Sequence, residues 1–525
     1  MLAPSQRGIE CEAMPSATLG RQSLLLTAST WGGTALSMLV SILVARILGP
    51  AAIGSIGFNT GLVGLLMAML LPGFSQAHLK RLAEGRDPGR CLGTMVTVQL
   101  ALHGALVAAL AAAWTVQGPF RSAEPPLVFL FMLAAQIATN FADIFLKVFI
   151  AREWTVPYSA ILMVARAARL LSVVLVLLWA PSITLVAATF SVEGVLSALG
   201  AALVLAIRYG ISVRAPTRES FREYWTFARP FLVTTPLALF QDSIDRVLVG
   251  RWAGLTAAGY YQIARALWEG LSSVIAAPGI FFLTRLSSLY ARRSEAGDRE
   301  AREFFFGGLD KLLFLTIPIA LGFWAFADPA IGLVYGNAFR PAAVPLRILV
   351  LAAVAANIVN PYTLVVYALD QPARFVPVNL LRVVAYLAVL FALVPAEPLF
   401  AGHAGLLPGA TGAAVARLFL ILFPAWLYFR WTRDLAGIPF YARACVYLGG
   451  FAIMVASFHL LMALAGPLTQ LGPWAPLPAA GGALALYVAY LFVAHPGTPD
   501  NLRYTLALLS PRGFVQFFRA GLRGA

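Results

Sequence analysis

Charge is scarce in this chain of 525 residues: 12% are Asp, Glu, Lys or Arg, against 60% hydrophobic. A soluble domain is usually about a quarter charged, so a chain this poor in charge cannot present a surface fit for water. Lysine is almost missing. Lys80, Lys147 and Lys311 follow Leu79, Leu146 and Asp310. None stands in the Gly-Lys-Ser/Thr sequence that cradles nucleotide phosphates, which excludes a P-loop ATPase. Cysteine is nearly absent as well. Cys11, Cys91 and Cys445 are far apart and give neither a disulfide framework nor metal-ligand spacing, so no metal site is expected. None of the five histidines pairs with an acid at a spacing that suggests catalysis, and His103, His403 and His459 are read as helix or interface residues. Basic residues outnumber acidic ones, 38 to 23. No basic stretch is interleaved with aromatics on a soluble domain, so nucleic acid is not an expected partner.

What the chain has in quantity is long apolar stretches. About fourteen recur, near 23–47, 53–76, 91–115, 126–150, 157–179, 183–207, 230–251, 258–286, 305–327, 342–368, 373–394, 404–429, 444–466 and 475–494. Each is long enough to cross roughly 30 Å of hydrocarbon. Backbone groups in lipid must be bonded within the span, so these stretches are expected to be helices of an all-α polytopic membrane protein. The first residues are polar and include Pro4, Arg7, Glu10, Glu12 and Pro15. No cleavable signal is visible there, and the first apolar stretch is expected to direct its own insertion. Basic residues cluster on one side, as in Lys80-Arg81, Arg292-Arg293 and the group Arg208, Arg214, Arg218, Arg222 and Arg229. The other side holds Arg46, Arg121, Arg251 and Arg340. The asymmetry places both termini in the cytoplasm of a multi-pass protein of the cell inner membrane.

One phrase is written twice. "ARILGPAAIGS" holds Arg46, Gly49 and Gly54, and "GRWAGLTAAGY" holds Arg251, Gly254 and Gly259 at the same spacing. Pro72-Gly73 follows the first and Pro278-Gly279 the second, then Arg81-Leu82 and Arg285-Leu286. An even number of apolar stretches separates the copies, so they share an orientation. That predicts two lobes related by an axis along the membrane normal, one of the repeat arrangements of transporters. Gly49 and Gly254 are expected to turn the chain at helix ends, and Pro72 and Pro278 to kink the second helix of each copy. The expected organisation is a tail at 1–21, an N-lobe of six helices at 22–208 and a basic linker at 209–229. A C-lobe of six at 230–431, two further helices at 432–494 and an amphipathic tail at 495–525 complete it.

Together "LVARILGPAAIGSIGF", "DSIDRVLVGRWAGLTAAGYYQIA" and "VYGNAFRPAAVPLRIL" resemble bacterial polysaccharide and oligosaccharide-lipid flippases. These share a superfamily with the MATE drug exporters and the lipid II flippase. The resemblance is one of pattern and runs from about Gln22 to the last apolar stretch. It implies two six-helix bundles around a central cavity, with two extra C-terminal helices. It also implies movement of an undecaprenyl-diphosphate-linked oligosaccharide (an O-antigen, exopolysaccharide or capsule repeat unit) to the outer leaflet by alternating access.

Ionisable groups inside hydrocarbon are costly and are functional candidates by default. Arg166 and Arg169 lie one turn apart with no acid in their own stretch, and Arg417 likewise has none. Guanidinium groups bind phosphate in a bidentate fashion, which suits a diphosphate headgroup. With Arg382 and Asn140, these three are the expected substrate-binding residues, facing a wet cavity between the lobes. Asp143, Asp242, Asp245 and Glu269 are candidates for coupling to protons or sodium; no other cofactor is expected. Asp143–Lys147 and Arg265–Glu269 have the i,i+4 spacing of ion pairs. Arg347, near one end of its stretch, is read as structural.

Two rival readings exist. A MATE-like cation-coupled drug antiporter would favour an acidic or aromatic cavity, whereas these stretches hold more arginine than acid. A membrane polysaccharide polymerase or glycosyltransferase would need a sizeable outer loop, and the longest outer connections, near 115–126, 328–341 and 395–403, are short. The protein is expected to be a non-enzymatic monomer. The tail "PRGFVQFFRAGLRGA" suits an interfacial helix on anionic lipid or a docking site for a glycosyltransferase or polymerase.

Overall fold

The computed structural model describes residues 16–509 apart from 69, 71–72, 118–125, 230, 291, 293, 370, 372–373, 396–404, 465–475 and 496. Among the described residues every regular element is a helix. The N-lobe comprises α1 (Ser16–Ala68), α2 (Phe74–Ala83), α3 (Pro88–Gln117), α4 (Pro126–Ala151), α5 (Thr155–Trp179) and α6 (Ile183–Tyr209). A short helix, α7 (Arg218–Ala228), leads to α8 (Phe231–Trp252), α9 (Gly254–Tyr290), α10 (Glu295–Ala325) and α11 (Ala327–Tyr335). After a 3₁₀ turn at Asn337–Ala342 come α12 (Ala343–Ala368), α13 (Phe375–Leu393), α14 (Gly409–Leu422) and α15 (Ala425–Ala436). The chain closes with α16 (Arg443–Leu464), α17 (Pro476–Ala494) and α18 (Thr498–Leu509).

Among the described residues, eleven helices are long and apolar enough to cross a membrane, and this is a multi-pass membrane protein. The number differs from the fourteen apolar stretches for identifiable reasons. α1 counts once, yet it holds two stretches in arms that meet at Gly49, where φ is 80°. α8 and α9, which carry Asp242, Asp245, Arg246, Arg265 and Glu269, are not among the eleven.

Within the N-lobe α4 packs on α6, and α5 packs on α1 and α6; within the C-lobe α12 is central, against α9, α10 and α14. Its position follows from its composition. Leu346, Leu349, Val350, Ala353, Ile358, Tyr362 and Val365 are all buried, so apolar side chains cover most of the helix and pack against its neighbours. The lobes meet through α1, which lies along α8 and α9. The approach is close because small residues line it: Gly57 faces Gln262, Gly61 faces Arg246 and Gly250 faces Phe58.

The two copies of the repeated phrase sit at one face, here called the turn face. Gly254 separates α8 from α9 with φ 85°, close to the 80° of Gly49. No atom lies within 4 Å of a Cβ built on either glycine. The backbone conformation itself, not a neighbouring atom, therefore requires glycine at both places. The copies diverge further along. In the first, α1 ends at Ala68, Gly73 has φ 82° and α2 begins at Phe74; Pro72 lies outside the described residues. In the second, α9 runs unbroken from Gly254 past Pro278 to Tyr290.

On the opposite, basic face, α7 is fastened to α2. His78 is fully buried, with Nδ1 2.8 Å from the Tyr224 hydroxyl and Nε2 3.0 Å from the carbonyl oxygen of Ile144. A carbonyl only accepts, so Nε2 carries the proton and Nδ1 accepts from Tyr224. Arg86 adds an ion pair to Glu223 at 2.8 Å. The segment read as a linker is thus held on the N-lobe. The segment read as an outer connection at 328–341 is also ordered, as α11 and the 3₁₀ turn. The amphipathic sequence from Pro511 onwards and the polar residues before Ser16 lie outside the described residues.

Candidate functional site

Most intramembrane charges gather into one network in the C-lobe and two smaller groups in the N-lobe. In the C-lobe the hub is Asp245 on α8, which is completely buried. Arg265 from α9 donates through Nη1 to both its oxygens, at 2.8 and 3.0 Å. The hydroxyls of Tyr261 and Tyr386 donate to Oδ2 at 2.7 and 3.2 Å. Arg417 from α14 donates to the backbone oxygen of Gln241 at 2.9 Å and to Asp242 at 2.6 Å, and stands 3.7 Å from Asp245. Arg265 also bonds Glu269 at 2.6 Å, and Arg246 reaches the same carboxylate at 3.3 Å. Four helices, α8, α9, α13 and α14, are tied together by this network.

Exposure splits the cluster into a buried and an open part. The Arg265 and Arg417 side chains are 4% and 9% exposed, whereas Asp242 and Glu269 are 59% and 46% exposed. Arg382 stands beside the network without joining it. Its Nη2 donates to Oε1 of Gln241 at 2.7 Å, and its buried Nε has no partner. Among the described residues no carboxylate pairs with it. A cavity of about 250 Å³ opens beneath Gln241 and Arg382.

In the N-lobe, Arg166 and Arg169 on α5 share Glu193 on α6, at 3.3 and 2.9 Å. The Arg169 guanidinium lies 3.7 Å over the ring of Phe190, a cation–π contact. Gly33 on α1 provides the notch that Arg166 fills, since a Cβ there would fall 1.6 Å from Nη1. Nearer the basic face, Asp143 pairs with Lys147 at 2.7 Å and accepts from Ser75 at 2.9 Å. Asn140 belongs to an amide cluster: it accepts from Gln136 at 3.0 Å, and its own amide lies 3.1 Å from His103.

Arg166, Arg169 and Arg417, expected to face the cavity because they have no acid in their own stretches, are not free cations. Each has a carboxylate, supplied by a neighbouring helix: Glu193 from α6 for the pair, Asp242 from α8 for Arg417. Asp242 and Asp245, which have no base at i+4, receive Arg265 and Arg417 in the same way. Among the described residues, Arg382 is the candidate arginine that remains without an acid. The i,i+4 pairs Asp143–Lys147 and Arg265–Glu269 do form. Arg347 bonds Asp328 at 2.6 Å, an anchoring role near the turn face.

The turn face is closed by the repeated phrase. A Cβ on Gly54 would fall 1.7 Å from the carbonyl oxygen of Leu255, and one on Gly259 would fall 2.0 Å from that of Pro50. Arg46 donates from Nε to the carbonyl oxygen of Val334 at 2.8 Å, and from Nη2 to that of Leu333. These carbonyls end α11, where a cation complements the helix dipole. Arg251, the counterpart of Arg46, is exposed.

Sequence reasoning missed several groups. Tyr261, Tyr386 and Gln241 complete the C-lobe network; a glutamine beside Asp242 in an apolar stretch was the one available signal. It also missed Asp310 on α10, which bonds Nε2 of His495 at 3.1 Å and accepts from the Tyr441 hydroxyl. These residues join the C-terminal helices to the C-lobe.

A family model described as polysaccharide biosynthesis protein matches residues 19–281. Among curated proteins none matches the sequence. Among solved structures, the lipid II flippase MurJ in an inward closed conformation superposes with a TM-score of 0.66 at 14% identity, over 90% of this chain and 99% of that one. An inward-facing MATE family multidrug resistance transporter gives 0.56 at 15% identity, over 77% and 94%. An outward-facing member gives 0.53 at 14%, over 83% and 99%. The chain belongs to the polysaccharide biosynthesis protein family and has the fold of the flippases and transporters of the MOP superfamily.

Proposed function

We propose that this protein moves an undecaprenyl-diphosphate-linked oligosaccharide from the cytoplasmic to the outer leaflet of the cell inner membrane, with its basic face and both termini in the cytoplasm. The observation that carries this reading is an excess of cation inside both lobes. Arg166 and Arg169 share the single carboxylate of Glu193. Arg246, Arg265 and Arg417 are matched by Asp242, Asp245 and Glu269, which leaves Arg382 over. Placing a charge at a bilayer centre costs roughly 2.5–3.5 kcal/mol even on permissive insertion scales. A cargo carrying a diphosphate offsets that cost and has its own dehydration offset in return.

The mechanism follows from the closed turn face. With Gly54 and Gly259 in contact, the headgroup reaches the lobes from the basic face while its lipid tail stays in the bilayer. Closing the basic face and parting Gly54 from Gly259 then releases it outside. Arg46 stabilises the first state alone, because its acceptors on α11 belong to the other lobe. Any proton or sodium coupling acts through Asp143, Asp242 or Glu269, the exposed carboxylates, since Asp245 is enclosed by two guanidinium groups and two hydroxyls. The protein works as a monomer and passes its product to a polysaccharide polymerase, downstream of glycosyltransferases.

A MATE-like exporter of cationic drugs shares the fold, but its cargo would meet the same excess of positive charge. Glycan export in a deletion strain complemented with Arg166→Gln, Arg169→Gln or Arg382→Gln tests the reading at matched protein levels. Reduced export, with the lipid-linked glycan accumulating inside, is expected of each. Wild-type export from all three would overturn it.

A further inference from the structure

The cavity beneath Gln241 and Arg382 lies wholly within the C-lobe, in the half nearer the basic face. Two helices furnish it by register. On α13, Phe375, Asn379 and Arg382 follow at i, i+4 and i+7, and on α12 Asn360 faces the same space. Tyr428, from the start of α15, completes a wall with Phe375: their rings are 5.5 Å apart at 76°.

Three hydrogen-bonding groups lining this space are unused. The Nε of Arg382 is buried without a partner, and among the described residues the side-chain amides of Asn360 and Asn379 bond nothing. A buried donor left unpaired is costly, and the Nε of Arg382 is one; Asn379 is half-buried and Asn360 exposed. The three groups line one open pocket. A guanidinium without a carboxylate calls for an anion. Two primary amides, each offering both donor and acceptor, match the hydroxyls around a sugar ring. Aromatic faces at the wall suit the apolar C–H face of such a ring. The volume, about 250 Å³, is below the ~300–1,000 Å³ of drug-sized sites. It fits one ring with its charged group, not a long glycan.

We propose that this pocket binds a single anion-bearing pyranose of the cargo, with Arg382 on the anion, Asn360 and Asn379 on ring hydroxyls, and Phe375 and Tyr428 against the ring face. The proposal rests on the flippase reading for the origin of the sugar, and it assigns recognition of the glycan to the C-lobe. The anion is either a carboxylate on a uronic acid within the repeat unit or the phosphate on the sugar at the lipid linkage. Gln241 couples the pocket to the charge network, since it accepts from Arg382 through its side chain and from Arg417 through its backbone.

The test uses purified full-length protein in detergent, with thermal unfolding followed as glucuronic acid, glucose 1-phosphate, glucose or inorganic phosphate is added. A saturable rise in midpoint is expected with one of the two anionic sugars, at a concentration at least about tenfold below that needed for glucose or phosphate. Arg382→Gln and Asn379→Ala should each raise the half-saturating concentration about tenfold or more, the effect expected for losing a charged or fully used hydrogen bond. Preference for glucuronic acid locates the bound ring within the repeat unit; preference for glucose 1-phosphate locates it at the linkage. No saturable rise with either anionic sugar, or identical curves for wild type and both variants, overturns the proposal. Glycan export by the same variants is measured in parallel: normal export with no sugar binding removes the pocket and leaves the flippase reading standing.

Discussion

Gly54 and Gly259 occupy matching positions in the repeated phrase and pack against each other across the lobe interface. A Cβ on Gly54 would lie 2.8 Å from the backbone nitrogen of Gly259, and one on Gly259 would lie 3.3 Å from that of Gly54. The nearest obstruction in each case is backbone, which cannot rotate away as a side chain can. Alanine at either site must therefore move the helices apart. We expect Gly54→Ala and Gly259→Ala to shift the protein towards a state open at the turn face. Labelling of single cysteines placed in α1 and α9 near that face, in a background without native cysteine, should speed up in both variants. Unchanged labelling would show that the contact does not hold the face closed.

Asp245 sets the stability of the C-lobe. Removing one partner of a buried ion pair typically costs about 3–5 kcal/mol, because the other charge is stranded. Asp245→Ala takes from Arg265 its buried carboxylate, leaving it only the exposed Glu269 and Asp242, and leaves the Tyr261 and Tyr386 hydroxyls without this acceptor. A cost in that range is expected, visible as low membrane yield and a lowered thermal midpoint in detergent. Asp242→Asn, at an exposed position, should cost far less.

His78 makes the basic face sensitive to acid. Burial, the largest cause, lowers its pKa from 6.5 to about 4. The neutral ring is thus the form that α2 and α7 hold, while the released or unfolded ring takes a proton below about pH 6.5. Stability is complete above that value and falls as the pH drops towards 4, by up to about 3 kcal/mol over the interval. Trp225, whose ring is 6.2 Å from Phe74, reports on the docking of α7. Its fluorescence should show the linker loosening between pH 6.5 and 4, and His78→Asn should flatten that profile.

The C-terminal helices depend on Asp310. His495 accepts from the backbone N–H of Gly497 through Nδ1 at 3.1 Å, which leaves Nε2 to donate to the Asp310 carboxylate. Asn501 adds a bond to the Tyr447 hydroxyl at 3.3 Å. Asp310→Ala should free this corner, and limited proteolysis should then cut near α18 several-fold faster than in the wild type while α8–α15 stay protected.

The sequence revealed what depends on position along the chain and concealed what depends on neighbours in space. Apolar runs predicted helices, and a shared spacing predicted turns whose glycines have φ of 80° and 85°. Spacing at i,i+4 found Asp143–Lys147 and Arg265–Glu269. It could not show that Glu193, the only acid on the following stretch, meets Arg166 and Arg169, because that contact joins α5 to α6. Nor could it find Arg417 on Asp242 or His495 on Asp310, which are separated by 175 and 185 positions. An arginine with no acid in its own helix is therefore weak grounds for a free cation. Arg382 was singled out with the others, and only the packing distinguishes it.

Transport itself can be measured directly. Proteoliposomes loaded with a fluorescent oligosaccharide on undecaprenyl diphosphate, challenged with a membrane-impermeant quencher, report the label crossing between leaflets. The expected result is loss of the protected fraction at least tenfold faster than in protein-free vesicles, and markedly slower in Arg166→Gln and Arg382→Gln. A wild-type rate equal to that of protein-free vesicles, alongside uptake of a cationic dye by the same preparation, would contradict an anionic lipid-linked cargo.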